Sequence, residues 1–117
     1  MLKKLLFISF CVFSVSSIFS QEFSRADTLR GSITPERAWF DVTYYDLKVA
    51  VNSSEKSING SNTISYKVLE PNEIMQIDLQ TPMKIDKIIQ DGKEISDTSE
   101  GNAQFLKLQN KQRKGKE

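Results

Sequence analysis

The 117-residue chain contains no histidine and a single cysteine, Cys11. Without histidine, a serine or cysteine nucleophile lacks its ordinary base, and the usual zinc donor sets cannot be assembled. One cysteine cannot form an internal disulfide, so an oxidising compartment would not be used to staple the fold. The five glycines stand far apart, at 31, 60, 92, 101 and 115, which excludes a glycine-rich phosphate loop. Charge of one sign is also missing. With 16 basic and 15 acidic residues, the net charge of +1 gives no overall bias toward nucleic acid or an anionic membrane.

The first twenty residues, MLKKLLFISFCVFSVSSIFS, place Lys3 and Lys4 before an apolar run from Leu5 to Val15 and a small-residue stretch ending at Ser20. That order is the pattern of a secretory signal peptide. Serines interrupt the run well short of the roughly 20 apolar residues a bilayer span needs, so no stable membrane span is expected after cleavage. Cys11 lies inside the apolar region behind Phe10, where a lipoprotein signal would carry a small residue, and is expected to leave with the signal. Removing residues 1–20 takes away two lysines and no acid, leaving 14 basic and 15 acidic residues. The expected location is extracytoplasmic, periplasmic or secreted.

Residues 21–38 read as a mobile leader. QEFSRADTLRGSIT is polar and shows no sustained period, and Thr34-Pro35-Glu36 then has the form of an N-cap, a first-turn proline and a first-turn acid, enough for one helical turn. From Trp39 the period is two. Phe40, Val42 and Tyr44 share one phase, and Tyr45, Leu47, Val49 and Val51 the other, so the apolar face changes sides at Tyr44–Tyr45, which predicts a bulge or a strand passing between sheets. NSSEKS makes a turn, and Ile58, Ile64, Tyr66 and Val68 mark a second strand with a polar outer face. Met75, Ile77 and Leu79 predict a third strand, and Met83, Ile85 and Ile89 a fourth. Asp91-Gly92 predicts a type I′ hairpin into Glu94 and Ile95, and a polar loop then leads to a last strand in AQFLKL. Residues 109–117, QNKQRKGKE, carry no apolar residue and read as a solvated basic tail. The pattern is all-β: an antiparallel β-sandwich or saddle-like domain over residues 39–108, incomplete at its C-terminal end.

Two constellations could carry function. Asp41, Asp46, Asp78 and Asp86 recur within the strands and could form a carboxylate pair of the glycosidase kind, although each falls opposite its apolar neighbours or at a strand end, where a solvated face is the simpler reading. Trp39, Phe40, Tyr44, Tyr45 and Tyr66 could form an aromatic platform, although aromatics at alternating positions more often fill a core or an interdomain seam. Asn52-Ser53-Ser54 and Asn59-Gly60-Ser61 have the form of glycosylation sequons, relevant only in a host that glycosylates. No catalytic, metal-binding or cofactor-binding residue is assigned.

YYDLKVAVNSSEKSINGSNTISYKV followed by MQIDLQTPMKIDKIIQDGKEI resembles the opening of the aminopeptidase N family of zinc metallopeptidases. Its strand slots are matched by Tyr45, Leu47 and Val49; by Ile58, Gly60 and Ile64; by Ile77, Asp78 and Leu79; and by Ile85, Ile88 and Gly92. The resemblance implies a non-catalytic N-terminal β-domain that packs on a catalytic domain absent from this chain. Zinc and peptide substrate are then expected only in the full-length enzyme. The family's His-Glu-x-x-His and Gly-x-Met-Glu-Asn signatures are missing here, so no catalytic residue carries over. The alternative expectation is a freestanding extracytoplasmic β-sandwich that binds a carbohydrate or a protein.

Overall fold

Serine at 24 and aspartate at 27 decide the first structured turn of the chain. In the computed structural model, which describes residues 22–115, helix α1 spans Arg25–Gly31 behind a complete capping box. The Ser24 hydroxyl accepts from the Asp27 backbone N–H at 3.2 Å, and the Asp27 carboxylate accepts from the Ser24 N–H at 3.1 Å. Two of the N–H groups that a helix start leaves without partners are thereby satisfied. A second helix, α2, is the expected single turn, Pro35–Ala38, with proline in its first turn. The expected leader is corrected in its first half, where it forms α1 with Leu29 buried. The expected signal peptide, residues 1–20, lies outside the described residues.

Seven strands follow: β1 Phe40–Asn52, β2 Ser57–Val68, β3 Ile74–Asp78, β4 Ile88–Gln90, β5 Lys93–Ile95, β6 Asp97–Glu100 and β7 Ala103–Lys107. All pairings are antiparallel, as expected for the class. β1 pairs with β2, β7 lies between β3 and β6, and β4 pairs with β5. The turn between β4 and β5 is the expected one, with Asp91 and Gly92 both at positive φ, 50° and 79°. Two strand expectations are corrected. Met83 and Ile85 precede the fourth strand instead of belonging to it, and the supposed polar loop before Gly101 contains β6, a four-residue strand whose side chains are all exposed. An edge strand exposed on both faces carries no hydrophobic alternation to read.

The core is small. Trp39, Val68, Met75, Leu106 and Leu108 form one buried cluster, with Phe40, Tyr66, Ile77, Ile88 and Ile95 packed against it. Trp39 stands at its centre, its ring edge-on to both Phe40 and Tyr66 and its indole N–H donating to the Ile74 carbonyl at 2.7 Å.

β3 departs from simple alternation, because Gln76 is only 1% exposed although it sits in the polar phase between Met75 and Ile77. The reason is the leader, which covers the other face of this strand. The Gln76 amide oxygen accepts from the Thr34 hydroxyl at 2.6 Å, and its NH₂ donates to the Leu29 carbonyl at 3.3 Å. Thr34 stands at the N-cap position that the sequence had suggested, but it spends its hydroxyl on Gln76 and makes no side-chain cap on α2. Arg37 donates to the carbonyls of Leu29 and Ser32 and to Asp78. Gln76→Leu is expected to lower stability by about 2 kcal/mol, because Thr34 and the Leu29 carbonyl would lose a buried partner. A urea midpoint shifted down at unchanged slope is the expected readout.

In the basic tail Lys111, Arg113 and Lys114 are exposed. Its residues fold back along the domain: the Gln109 backbone N–H donates to the Gln90 side chain at 2.9 Å, Gln112 N–H to the Asn72 carbonyl at 2.7 Å and Gly115 N–H to the Val68 carbonyl at 2.8 Å. Lys114 pairs with Glu70 at 2.6 Å.

Candidate functional site

The four strand carboxylates do not converge. Asp41 stands opposite Lys67 and Asp46 opposite Thr63, four residues apart along β2, or about 13 Å at ~3.3 Å per residue. Paired glycosidase carboxylates lie no more than about 9.5 Å apart. Asp46 lies 3.5 Å from Lys48, Asp78 is held by Arg37, and Asp86 is exposed between strands. Among the described residues, no three acidic, histidine or cysteine side chains are grouped so as to hold a metal ion.

The aromatic residues divide between core and surface. Trp39, Phe40 and Tyr66 interlock edge to face inside the domain, with ring centroids 5.1 to 5.8 Å apart. Burial raises the Tyr66 phenol above its ordinary pKa, and the charge of Asp91 adds to the rise. Tyr44 and Tyr45 are exposed but project from opposite faces of β1, so the two do not form one platform for a sugar ring.

What the strands do assemble is an apolar face. The register slips between Val42 and Tyr44, leaving Thr43 as the extra residue of a β-bulge. The bulge cancels the phase change seen in the sequence. Phe40 and Val42 before it, and Tyr45, Leu47, Val49 and Val51 after it, all point to the same side. They stand opposite Val68, Tyr66, Ile64, Asn62, Gly60 and Ile58. Of the two expected alternatives the bulge is the one present, and it keeps the apolar face on one side where the sequence had suggested a change of sides at Tyr44–Tyr45.

Only the inner end of this face is covered. Val68 is buried and Tyr66 half-buried, while toward the hairpin tip Leu47 is 67% exposed, Val51 73% and Ile58 56%. Among the described residues β1 and β2 pair only with each other, and no third layer lies over the outer half. A contiguous exposed apolar face is the form that an interaction surface takes. Beside it, the strands approach closely at Gly60, where a Cβ would stand 2.1 Å from the Lys48 carbonyl oxygen. The shallow depression there, lined by Lys48, Val49, Ala50, Asn59, Gly60 and Ser61, is an open surface feature without a base beside its serine. Alternation in the sequence located these residues; what it could not show is that nothing in the described chain covers them. Glycosylation at Asn52 or Asn59 is sterically open, since both are exposed on this hairpin.

Two surface carboxyls register the leader's attachment. The Ser24 hydroxyl and backbone N–H lower the pKa of Asp27, and the Arg25 guanidinium, 2.6 Å from Glu100, lowers that of Glu100. Both groups bind protons more weakly in the folded chain than in the unfolded one. Their contribution is therefore present above the ordinary carboxylate range and is lost as pH falls through about 4 and below. Helix α1 is expected to loosen first on acidification. Faster amide exchange at residues 25–31 at pH 3 than at pH 7, after correction for intrinsic rates, is the measurement that checks it.

Comparison of the chain with protein-family models, curated proteins and solved structures finds no match.

Proposed function

We propose that the chain is the non-catalytic N-terminal portion of an exported aminopeptidase N-like zinc metallopeptidase, a scaffold whose hairpin face packs on a catalytic domain that this sequence does not contain. One observation carries the reading. Tyr45, Leu47 and Val49, the first strand slots of the family resemblance, lie on the same face as Ile58, Gly60 and Ile64, the second, and that apolar face is exposed toward the hairpin tip. A scaffold that docks another domain needs such a surface and needs no reactive group on it. Export rests on the pattern of residues 1–20. No helix among the described residues is long and apolar enough to cross a membrane.

The residues of this chain do not fit zinc. Histidine is missing, the one cysteine lies in the segment expected to be cleaved, and the strand carboxylates stand apart. Zinc, the bound water it activates and the peptide-binding groups belong on this proposal to the catalytic domain. The test is the encoding DNA read past codon 117 in all frames. A downstream His-Glu-x-x-His run supports the proposal, and its absence from every frame contradicts it. A freestanding binding module is the second reading. The same uncovered face favours a protein ligand over a carbohydrate for it, because Tyr44 and Tyr45 face opposite ways.

A further inference from the structure

β1 and β2 each have an outer edge, and the two edges are built differently. β1 carries Asp41, Asp46 and Lys48 and is bent by the Thr43 bulge. Charges and bulges are the devices by which edge strands refuse further pairing. From Ser57 to Tyr66, β2 has neither a charged residue nor a proline, and its register against β1 runs unbroken from Ser57 to Ser65. One contact already uses this side of β2: the Val68 carbonyl receives the Gly115 N–H at 2.8 Å, from a segment running antiparallel to residues 68–72. Because the Val68 carbonyl faces away from β1, the two-residue alternation of an antiparallel ladder turns the N–H and C=O of Ile58, Gly60, Asn62, Ile64 and Tyr66 outward as well.

We infer that the outer edge of β2 is a self-pairing edge, along which two copies of this chain join antiparallel about a two-fold axis. This goes beyond the peptidase proposal and does not rest on it. Such an interface places the same strand against itself, so its chemistry must be self-complementary. In the register centred on Ser61, Ile58 of one copy stands opposite Ile64 of the other, and Gly60 opposite Asn62, each twice. On the reverse face Ser61 meets Ser61, Asn59 meets Thr63 and Ser57 meets Ser65. Isoleucine meets isoleucine, Asn62 meets a glycine, the reverse face pairs uncharged polar residues, and no like charges are opposed. About eight backbone hydrogen bonds form in this register. Pairing ends before Val68, whose carbonyl Gly115 already holds. The hairpin's apolar face stays open on both copies.

The test uses the full chain in a Cys11→Ser background. Ser61→Cys places the new thiols directly opposite each other across the axis, within reach of a disulfide. Mild oxidation is expected to give a covalent dimer as the main species. Thr63→Cys, whose thiols lie on the order of 13 Å apart in this register at ~3.3 Å per residue, is expected to give little. Asn62→Pro removes an outward N–H without breaking a bond to β1, and is expected to weaken the sedimenting dimer on the order of tenfold or more. A parent chain that sediments as a monomer at every concentration overturns the inference. So does a dimer indifferent to Asn62→Pro, or equal crosslinking through Ser61→Cys and Thr63→Cys.

Discussion

Trp39→Ala is expected to cost about 4 kcal/mol and to leave the chain largely unfolded at 37 °C. Trp39 is 2% exposed and stands where the leader, the hairpin and β3 meet. It holds Phe40 and Tyr66 edge-on and ties the Ile74 carbonyl through its indole N–H. Its own carbonyl receives both Leu69 and Glu70 N–H groups, at 2.7 and 3.1 Å. Removing the ring leaves a cavity bounded by Val68, Met75 and Leu106, in a core too small to close over it. A small domain has roughly 5–10 kcal/mol in hand, so a loss of this size consumes most of it. Far-UV circular dichroism against temperature is the measurement. Trp39→Phe, which keeps most of the volume but leaves the Ile74 carbonyl without its donor, is expected to cost about 2 kcal/mol.

The second large effect is local. Gly60→Val is expected to part the outer half of the hairpin, because a Cβ at this position would meet the Lys48 carbonyl oxygen at 2.1 Å and the carbonyl carbon at 3.2 Å. Both are backbone atoms of the paired strand, so relief requires the ladder itself to shift. Overpacking of this kind costs about 3 kcal/mol, more than a two-stranded ribbon without a third layer can hold. Amide exchange should rise between Leu47 and Ser61 while the amides of β3 and β7 keep their protection. Equal protection in both regions before and after the substitution would show that the hairpin tolerates the side chain.

The two substitutions bracket what could be read from residue types alone. Asp91-Gly92 announced its turn because positive φ at both positions is a local requirement, met by the two residues themselves. The phase switch at Tyr44–Tyr45 announced a bulge, but its place at Thr43 depends on which residues β2 sets opposite, a non-local fact. Gln76 was hidden because alternation assumes one wet face, and β3 is covered on both: by the core on one side and by Leu29 and Thr34 on the other. Helix α1 was missed: its one local signal is Ser24-x-x-Asp27, and a single buried leucine makes no period. The tail's attachment runs through backbone groups, which composition does not register. The candidate site divides the same way. The apolar residues of the hairpin were all in view, whereas their lack of cover is a property of the whole fold.

That lack of cover is the central claim, and dye binding tests it most directly. An environment-sensitive dye such as ANS, added to the folded chain at neutral pH, is expected to fluoresce strongly. The response should fall to near background in Leu47→Thr/Val49→Thr/Val51→Thr. Threonine suits a strand and these side chains support nothing else in the domain, so the thermal midpoint should stay within about 3 °C of the parent. No dye binding by the parent, or a collapse of the melting transition in the triple variant, would mean that the face is already packed against the chain's own residues and would contradict the account.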